Sequence, residues 1–149
     1  MEPTTGPTER RIDAVVFDMD GVVTDTARVH FAAWKLVFDE LLGRLAGGEE
    51  PTEPFTFDDY LRDVDGKARY DGVASFLESR GITLPLGQPT DDPEQLTVYG
   101  LGKRKDDYFL AALDEQGAVV FDDAVVVLDA ARDAGKRLAV VSASENCDV

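Results

Sequence analysis

Two short apolar runs stand near the two ends of the chain, and helical spacing fills most of the distance between them. Ala14-Val15-Val16-Phe17 lies between Asp13 and Asp18 and shows no polar alternation. A run of this kind predicts a strand buried on both faces, as in a parallel sheet. Arg137-Leu138-Ala139-Val140-Val141 reads as a second buried strand, with Ser142 at its end. Phe31, Trp34, Phe38, Leu41 and Leu45 recur by three and four, which predicts a helix over about 26–45 with Gly47-Gly48 at its stop. The spacing predicts further helices over 57–64 and over 71–80, the latter closed by Gly81 in the left-handed conformation. Pro85, Pro89 and Pro93 make 84–95 a loop. Asp92-Pro93 reads as an N-cap followed by proline at the first helical position, opening a helix that runs to Gln116, is weakened by Gly100 and Gly102, and stops at Gly117. Val125, Leu128 and Ala131 mark an amphipathic helix over 123–134, ended by Gly135. Residues 47–56 read as a linker and 1–11 as a flexible lead-in. The order strand, helices, strand predicts an α/β core interrupted by a helical insertion over about 28–117.

Composition narrows the class. The chain has 149 residues, 44% hydrophobic and 30% charged, which is the balance of a folded domain rather than a disordered one. No apolar run approaches the ~18 residues of a membrane span, and the polar first ten residues lack the apolar segment of a secretory leader. The single cysteine, Cys147, excludes an internal disulfide, fits a reducing cytoplasm, and has no basic neighbour to activate it. A net charge of -15 argues against nucleic acid and anionic membrane as partners.

The chemistry gathers after the first strand. Asp18 stands where the apolar run stops, and open α/β sheets bind ligands at the carboxyl ends of their strands. A carboxylate there can attack phosphorus to give an aspartyl-phosphate. Asp20, two residues on, can serve the same site as an acid or base, and Gly21 permits the tight turn. Two close carboxylates also offer oxygen ligands for Mg2+. A bare pair of aspartates in a strand-to-helix loop is more often plain turn and cap chemistry.

The whole string Phe17-Asp18-Met19-Asp20-Gly21-Val22-Val23-Thr24-Asp25-Thr26 resembles the first signature of the haloacid dehalogenase superfamily of phosphohydrolases. His30, Phe31, Ala33, Trp34 and Lys35 resemble the start of the cap domain in its β-phosphoglucomutase-like subgroup. The resemblance implies a partial Rossmann-like core (12–27 and 118–149) around a helical cap (28–117). It implies Asp18 as nucleophile and Mg2+ ligand, and Asp20 as general acid/base that lends its backbone carbonyl to the same ion. Ser142 resembles the second signature, whose hydroxyl holds the transferring phosphoryl group, with the Ala143 N–H beside it and Asn146 at a family position nearby. In the cap, Thr26, His30 and Trp34 match residues near the substrate and the hinge. Gly66-Lys67-Ala68-Arg69 resembles the segment whose arginine grips the nonreacting phosphate, and Gly102-Lys103-Arg104-Lys105-Asp106 the stretch whose lysine, here Lys105, lines the site. On residue type alone, His30 would more often be a packed histidine, Trp34 core, and Arg69 and Lys105 solvated surface charges.

Two further family signatures, a phosphate-pairing lysine and an acidic metal-binding loop, are expected beyond Val149, and without them the rate should fall by several powers of ten. The sequence therefore reads as the N-terminal portion of a longer protein, or as a piece completed by a complementing C-terminal chain. Glu145 stands where the subgroup usually has a basic residue. The expected activity is Mg2+-dependent phosphoryl transfer from a small phosphorylated metabolite, a sugar phosphate. The long stretch at 83–95 resembles phosphatase-like actinobacterial relatives, including those linked to trehalose phosphate, which favours a hydrolase over a sugar-phosphate mutase. A non-catalytic remnant and a phosphorelay receiver are the rival readings. The receiver expects its accepting aspartate on a later strand and has no place for the cap-like stretch.

Overall fold

The computed structural model describes residues 12–47 and 53–143. The lead-in 1–11, part of the 47–56 linker, and Glu145, Asn146 and Cys147 lie outside the described residues. Strand β1 (Ala14–Asp18) pairs in parallel with β2 (Arg137–Val141) in the register Ala14↔Arg137 to Asp18↔Val141. Helices α1 (Ala27–Leu45), α2 (Phe57–Asp59), α3 (Arg69–Ser79) and α4 (Val98–Gln116) fall between the strands, and α5 (Asp122–Asp133) leads into β2. A π-helical turn, Tyr60–Val64, continues α2. The fold is α/β, as the order of periods predicts. Among the described residues no helix is long and apolar enough to cross a membrane.

The core sits in the helical part. Trp34, Phe38 and Leu41 on α1 meet Phe55, Phe76 of α3 and Leu101 of α4 in one apolar cluster. Phe38 lies 4.0 Å from Phe76 between ring centroids and 4.9 Å from Phe55. Helix α1 packs along α4, and α3 closes the bundle against α4 and the π turn. Leu45, the last residue of the predicted α1 face, is 52% exposed, because the helix has by then run past the cluster.

Three expectations are corrected. The strands are not buried on both faces: Val16 is 61% and Val141 64% exposed. Their apolar composition shows what the strands can pack against, but among the described residues α5 is the one helix that packs closely on the pair, and no further strand flanks it. The helix expected to open at Asp92-Pro93 opens at Val98. Thr97 is its cap, accepting a hydrogen bond from Gly100 N–H at 2.9 Å. Asp92 instead closes a turn of its own, with its carbonyl accepting from Gln95 N–H and its carboxylate from Glu94 N–H. Helix α3 starts at Arg69, two residues ahead of the predicted 71.

Gly100 and Gly102 are needed for close approach and do not merely weaken α4. A Cβ on Gly100 would stand 2.3 Å from the Gln95 carbonyl oxygen, and one on Gly102 would stand 2.6 Å from the Tyr70 ring. Helix propensity alone would make Gly100→Ala stabilising by about 1 kcal/mol. The backbone clash reverses the sign, and a loss of about 2 kcal/mol is expected, read as a lowered denaturation midpoint.

Candidate functional site

The parallel register carries Asp18 and Ser142 to the same edge of the sheet, because Asp18 pairs with Val141, the residue before Ser142. Beyond β1 the chain turns tightly: Met19 O accepts from the N–H groups of Val23 and Thr24, and Gly21 takes φ 78°. This turn brings the Asp20 carboxylate back over the strand ends, where Ser142 Oγ donates to it at 3.2 Å and Thr26 Oγ1 donates to its other oxygen. The second connection runs beside the first, with Asp25 N–H donating to Val119 O and Phe121 N–H to Val23 O. The two links between sheet and helical part therefore lie together.

A cleft of about 180 Å³ opens where the strand ends meet the helices. Asp18, Asp20 and Ala143 line it from the sheet side, and His30, Trp34, Arg69 and Lys105 from the helices. Thr26 and Ser142 reach it through Asp20. Of the candidate site residues read from the sequence, Asn146 alone lies outside the described residues. Met19 N–H donates to Asp18 Oδ1 at 2.8 Å, which fixes that carboxylate at the strand end.

Lys105 Nζ lies 2.8 Å from His30 Nδ1, and Lys105 is 3% exposed. An ammonium only donates, so Nδ1 accepts and the imidazole proton sits on Nε2. That nitrogen faces Asp20 Oδ1 across 3.4 Å, longer than a full hydrogen bond, and is buried without another hydrogen-bond partner. The ring stacks on Phe109 at 4.0 Å, and Lys105 Nζ lies 4.4 Å from the same ring and 5.6 Å from Trp34. Burial lowers the His30 pKa, against the pull of Asp20, so the imidazole is neutral near pH 7. Asp20 is held down at about 2, first by its contact with His30 and then by Thr26 and Ser142, while burial opposes them.

His30→Phe keeps a ring against Phe109 and removes the imidazole N–H. The Asp20 carboxyl is then expected to titrate above about 2, toward the ordinary ~3.9. Carbon-13 NMR titration of the carboxyl checks this, and an unmoved pKa would leave Thr26 and Ser142 as sufficient.

Sequence reasoning passes over Tyr60 and Asp65, which also line the cleft. Burial, and then the charge of Asp65, push the Tyr60 phenol upward, so it stays protonated. The π turn that presents them closes with Asp65 N–H donating to Tyr60 O at 2.8 Å, and no residue type marks such a five-residue step. Lys67, part of the predicted segment, lines the cleft beside Arg69. Among the described residues no group of three or more His, Cys, Asp or Glu is gathered that could hold a metal ion by itself.

Known proteins resemble this chain over most of its length. A β-phosphoglucomutase of Mycobacterium tuberculosis is 49% identical over 140 residues, covering 91% of this chain and 53% of that protein. The chain thus spans about half the length of the curated relatives it matches first. A Mycobacterium tuberculosis protein named as an uncharacterized glycosyl hydrolase is 46% identical over 116 residues, 8% of its length. Among solved structures, a β-phosphoglucomutase of Clostridium difficile superposes with a TM-score of 0.67 at 20% identity, over 91% of this chain and 53% of that one. CbbY of Rhodobacter sphaeroides, solved with xylulose-1,5-bisphosphate, superposes with a TM-score of 0.60 at 22% identity, over 91% and 52%. These two likenesses establish the fold. The family model of the haloacid dehalogenase-like hydrolases matches residues 12–148, and the chain belongs to that family, as a portion similar to the β-phosphoglucomutases.

Proposed function

We propose that the chain is the N-terminal portion of a Mg2+-dependent enzyme that transfers a phosphoryl group from a small sugar phosphate through an aspartyl-phosphate on Asp18. The observation that carries this reading is the shared cleft: Asp18 and Asp20 at the strand ends face Arg69 and Lys105 from the helices. Residues 12–27 and 118–149 form the partial core in this reading, and 28–117 the cap.

Asp18 attacks phosphorus, and its bond to phosphorus replaces the bond to the leaving sugar oxygen. Asp20 exchanges a proton with that oxygen. Its low pKa in this arrangement means it must be released from His30, Thr26 and Ser142, or be shielded by ligand, before it can carry the proton. The Ser142 hydroxyl and Ala143 N–H hold the phosphoryl oxygens. Arg69 and Lys105 bind the rest of the anion, with His30, Trp34 and Thr26 shaping the wall, and Asn146 joins the substrate-binding set by resemblance alone. Mg2+ takes one or two carboxylates, keeps waters and binds phosphate oxygens, so the Asp18 carboxylate and the Asp20 carbonyl would supply two of its ligands, with the expected acidic loop completing the set. It would offset phosphate charge when bound.

The names of the 49%-identical relatives favour a second reading, in which the phosphoryl group returns to a sugar hydroxyl as in a mutase. The exposed apolar faces of β1 and β2 support completion of the core by a further segment or complementing chain. Incubation with a hexose 1-phosphate, with and without a Mg2+ chelator, tests the proposal. Chelator-sensitive free phosphate means hydrolase, and chelator-sensitive isomerised sugar phosphate means mutase. Neither product, with a complementing C-terminal segment supplied, would overturn both.

A further inference from the structure

Arg69 opens α3 and lines the cleft, yet its side chain is only 11% exposed. Two residues of α4 contribute to that burial. At Gly102 a Cβ would stand 3.4 Å from Arg69 Cδ and 2.6 Å from the Tyr70 ring, so the bare backbone lets the arginine stem and its neighbour settle onto α4. Four residues on, Asp106 places Oδ1 2.9 Å from Arg69 Nη2. Positions i and i+4 share one helix face, so a single strip of α4 meets both stem and head of the arginine. Asp106 is not among the residues that line the cleft, although Lys105 beside it is. The carboxylate thus holds one nitrogen of a guanidinium whose own residue lines the cleft.

We propose that Asp106 is a positioning residue that fixes the Arg69 guanidinium so that an edge of its fork faces an anionic group in the cleft. The proposal rests on the reading of Arg69 as the holder of the ligand's anionic end. A guanidinium presents five N–H donors in a rigid plane, so one nitrogen can be held by a carboxylate while another edge serves a ligand. Fixing the plane in advance spares the ordering of a long side chain when the anion binds. Partners that orient metal-ligating side chains change affinity about ten- to a hundredfold, and an effect at the lower end of that range is expected for this arginine.

Calorimetric titration of the full 149-residue chain with inorganic phosphate and with a hexose 1-phosphate tests this, using D106A, D106N, D106E and R69A. D106A is expected to weaken both ligands about tenfold, with a smaller loss for the near-isosteric D106N and partial recovery in D106E. In an R69A background D106A should cost nothing further. If D106A does not fold, shown by its melting curve, D106N carries the same comparison. Unchanged or tighter binding in the Asp106 variants, with R69A still weakened, would overturn the proposal and leave the reading of Arg69 standing. Losses that simply add in the double variant would also overturn it. Unchanged binding in R69A would overturn that reading and the proposal together.

Discussion

Asp18→Asn is expected to abolish phosphoryl transfer, with a loss of about a thousandfold or more in kcat. The amide keeps the size of the side chain and an oxygen that can accept from Met19 N–H, the 2.8 Å contact that fixes Asp18 at the end of β1. It does not keep the charge or the nucleophilic oxygen pair. The substitution therefore separates chemistry from fold: the melting midpoint should stay within a degree or two while turnover disappears. Two readouts make the assignment. Release or migration of phosphate from a hexose 1-phosphate should vanish, and a phosphoryl adduct detectable by intact mass after acid quench should be missing from the variant. Turnover that survives with its adduct elsewhere would displace Asp18 as nucleophile. A binding-only role predicts something different, since loss of a carboxylate from an anion-binding cleft should tighten phosphate slightly. Measuring affinity and turnover on the same variant distinguishes these cases.

The parts of this site legible in the sequence are those carried by local order. Asp18 stands at the end of an apolar run, and Asp20, Gly21 and Thr26 follow within one turn and a helix start. Ser142 was readable for the same reason, and the parallel register then brings it to Asp20 across most of the chain. Arg69 and Lys105 were legible only through resemblance, since nothing in their own neighbourhoods says which charged residues become buried. Tyr60 and Asp65 were missed because a backbone step of five residues sets their direction. Proline chemistry at Asp92-Pro93 was real but local: it makes one turn, and Thr97 has the hydroxyl that caps the long helix. Strand burial was misjudged because an apolar run records a preference for cover and says nothing about where that cover comes from.

The largest stability effect is expected at Asp59, which lies outside the candidate site. Its carboxylate, 8% exposed, gathers donors from three residues. Oδ1 accepts from Arg62 Nη2 at 2.6 Å, and Oδ2 from Arg80 Nη2 at 2.8 Å, Thr56 Oγ1 at 2.8 Å and Thr56 N–H at 3.0 Å. Thr56 Oγ1 in turn accepts from Asp59 N–H, which completes a capping box at α2. Asp59→Ala breaks the box and takes the 2.8 Å carboxylate partner from Arg80, which keeps the longer contacts to Glu53 and the Pro54 carbonyl, so about 3 kcal/mol should be lost. The Arg62 pair adds little, because that arginine is 56% exposed. Burial alone would raise the Asp59 pKa, but the bonds from Thr56, Arg62 and Arg80 outweigh it and hold the carboxyl well below the usual range. A folded-state pKa below the unfolded ~3.9 means that the ionised form binds its partners only in the native chain. The contribution is full above about pH 4 to 5 and is lost as pH falls through the folded value. The midpoint gap between the wild-type chain and Asp59→Asn should therefore be constant from pH 7 to about 5 and shrink below about 4. Urea melts at several pH values measure it, and a gap that widened on acidification would show that the protonated carboxyl, not the carboxylate, is the bound form.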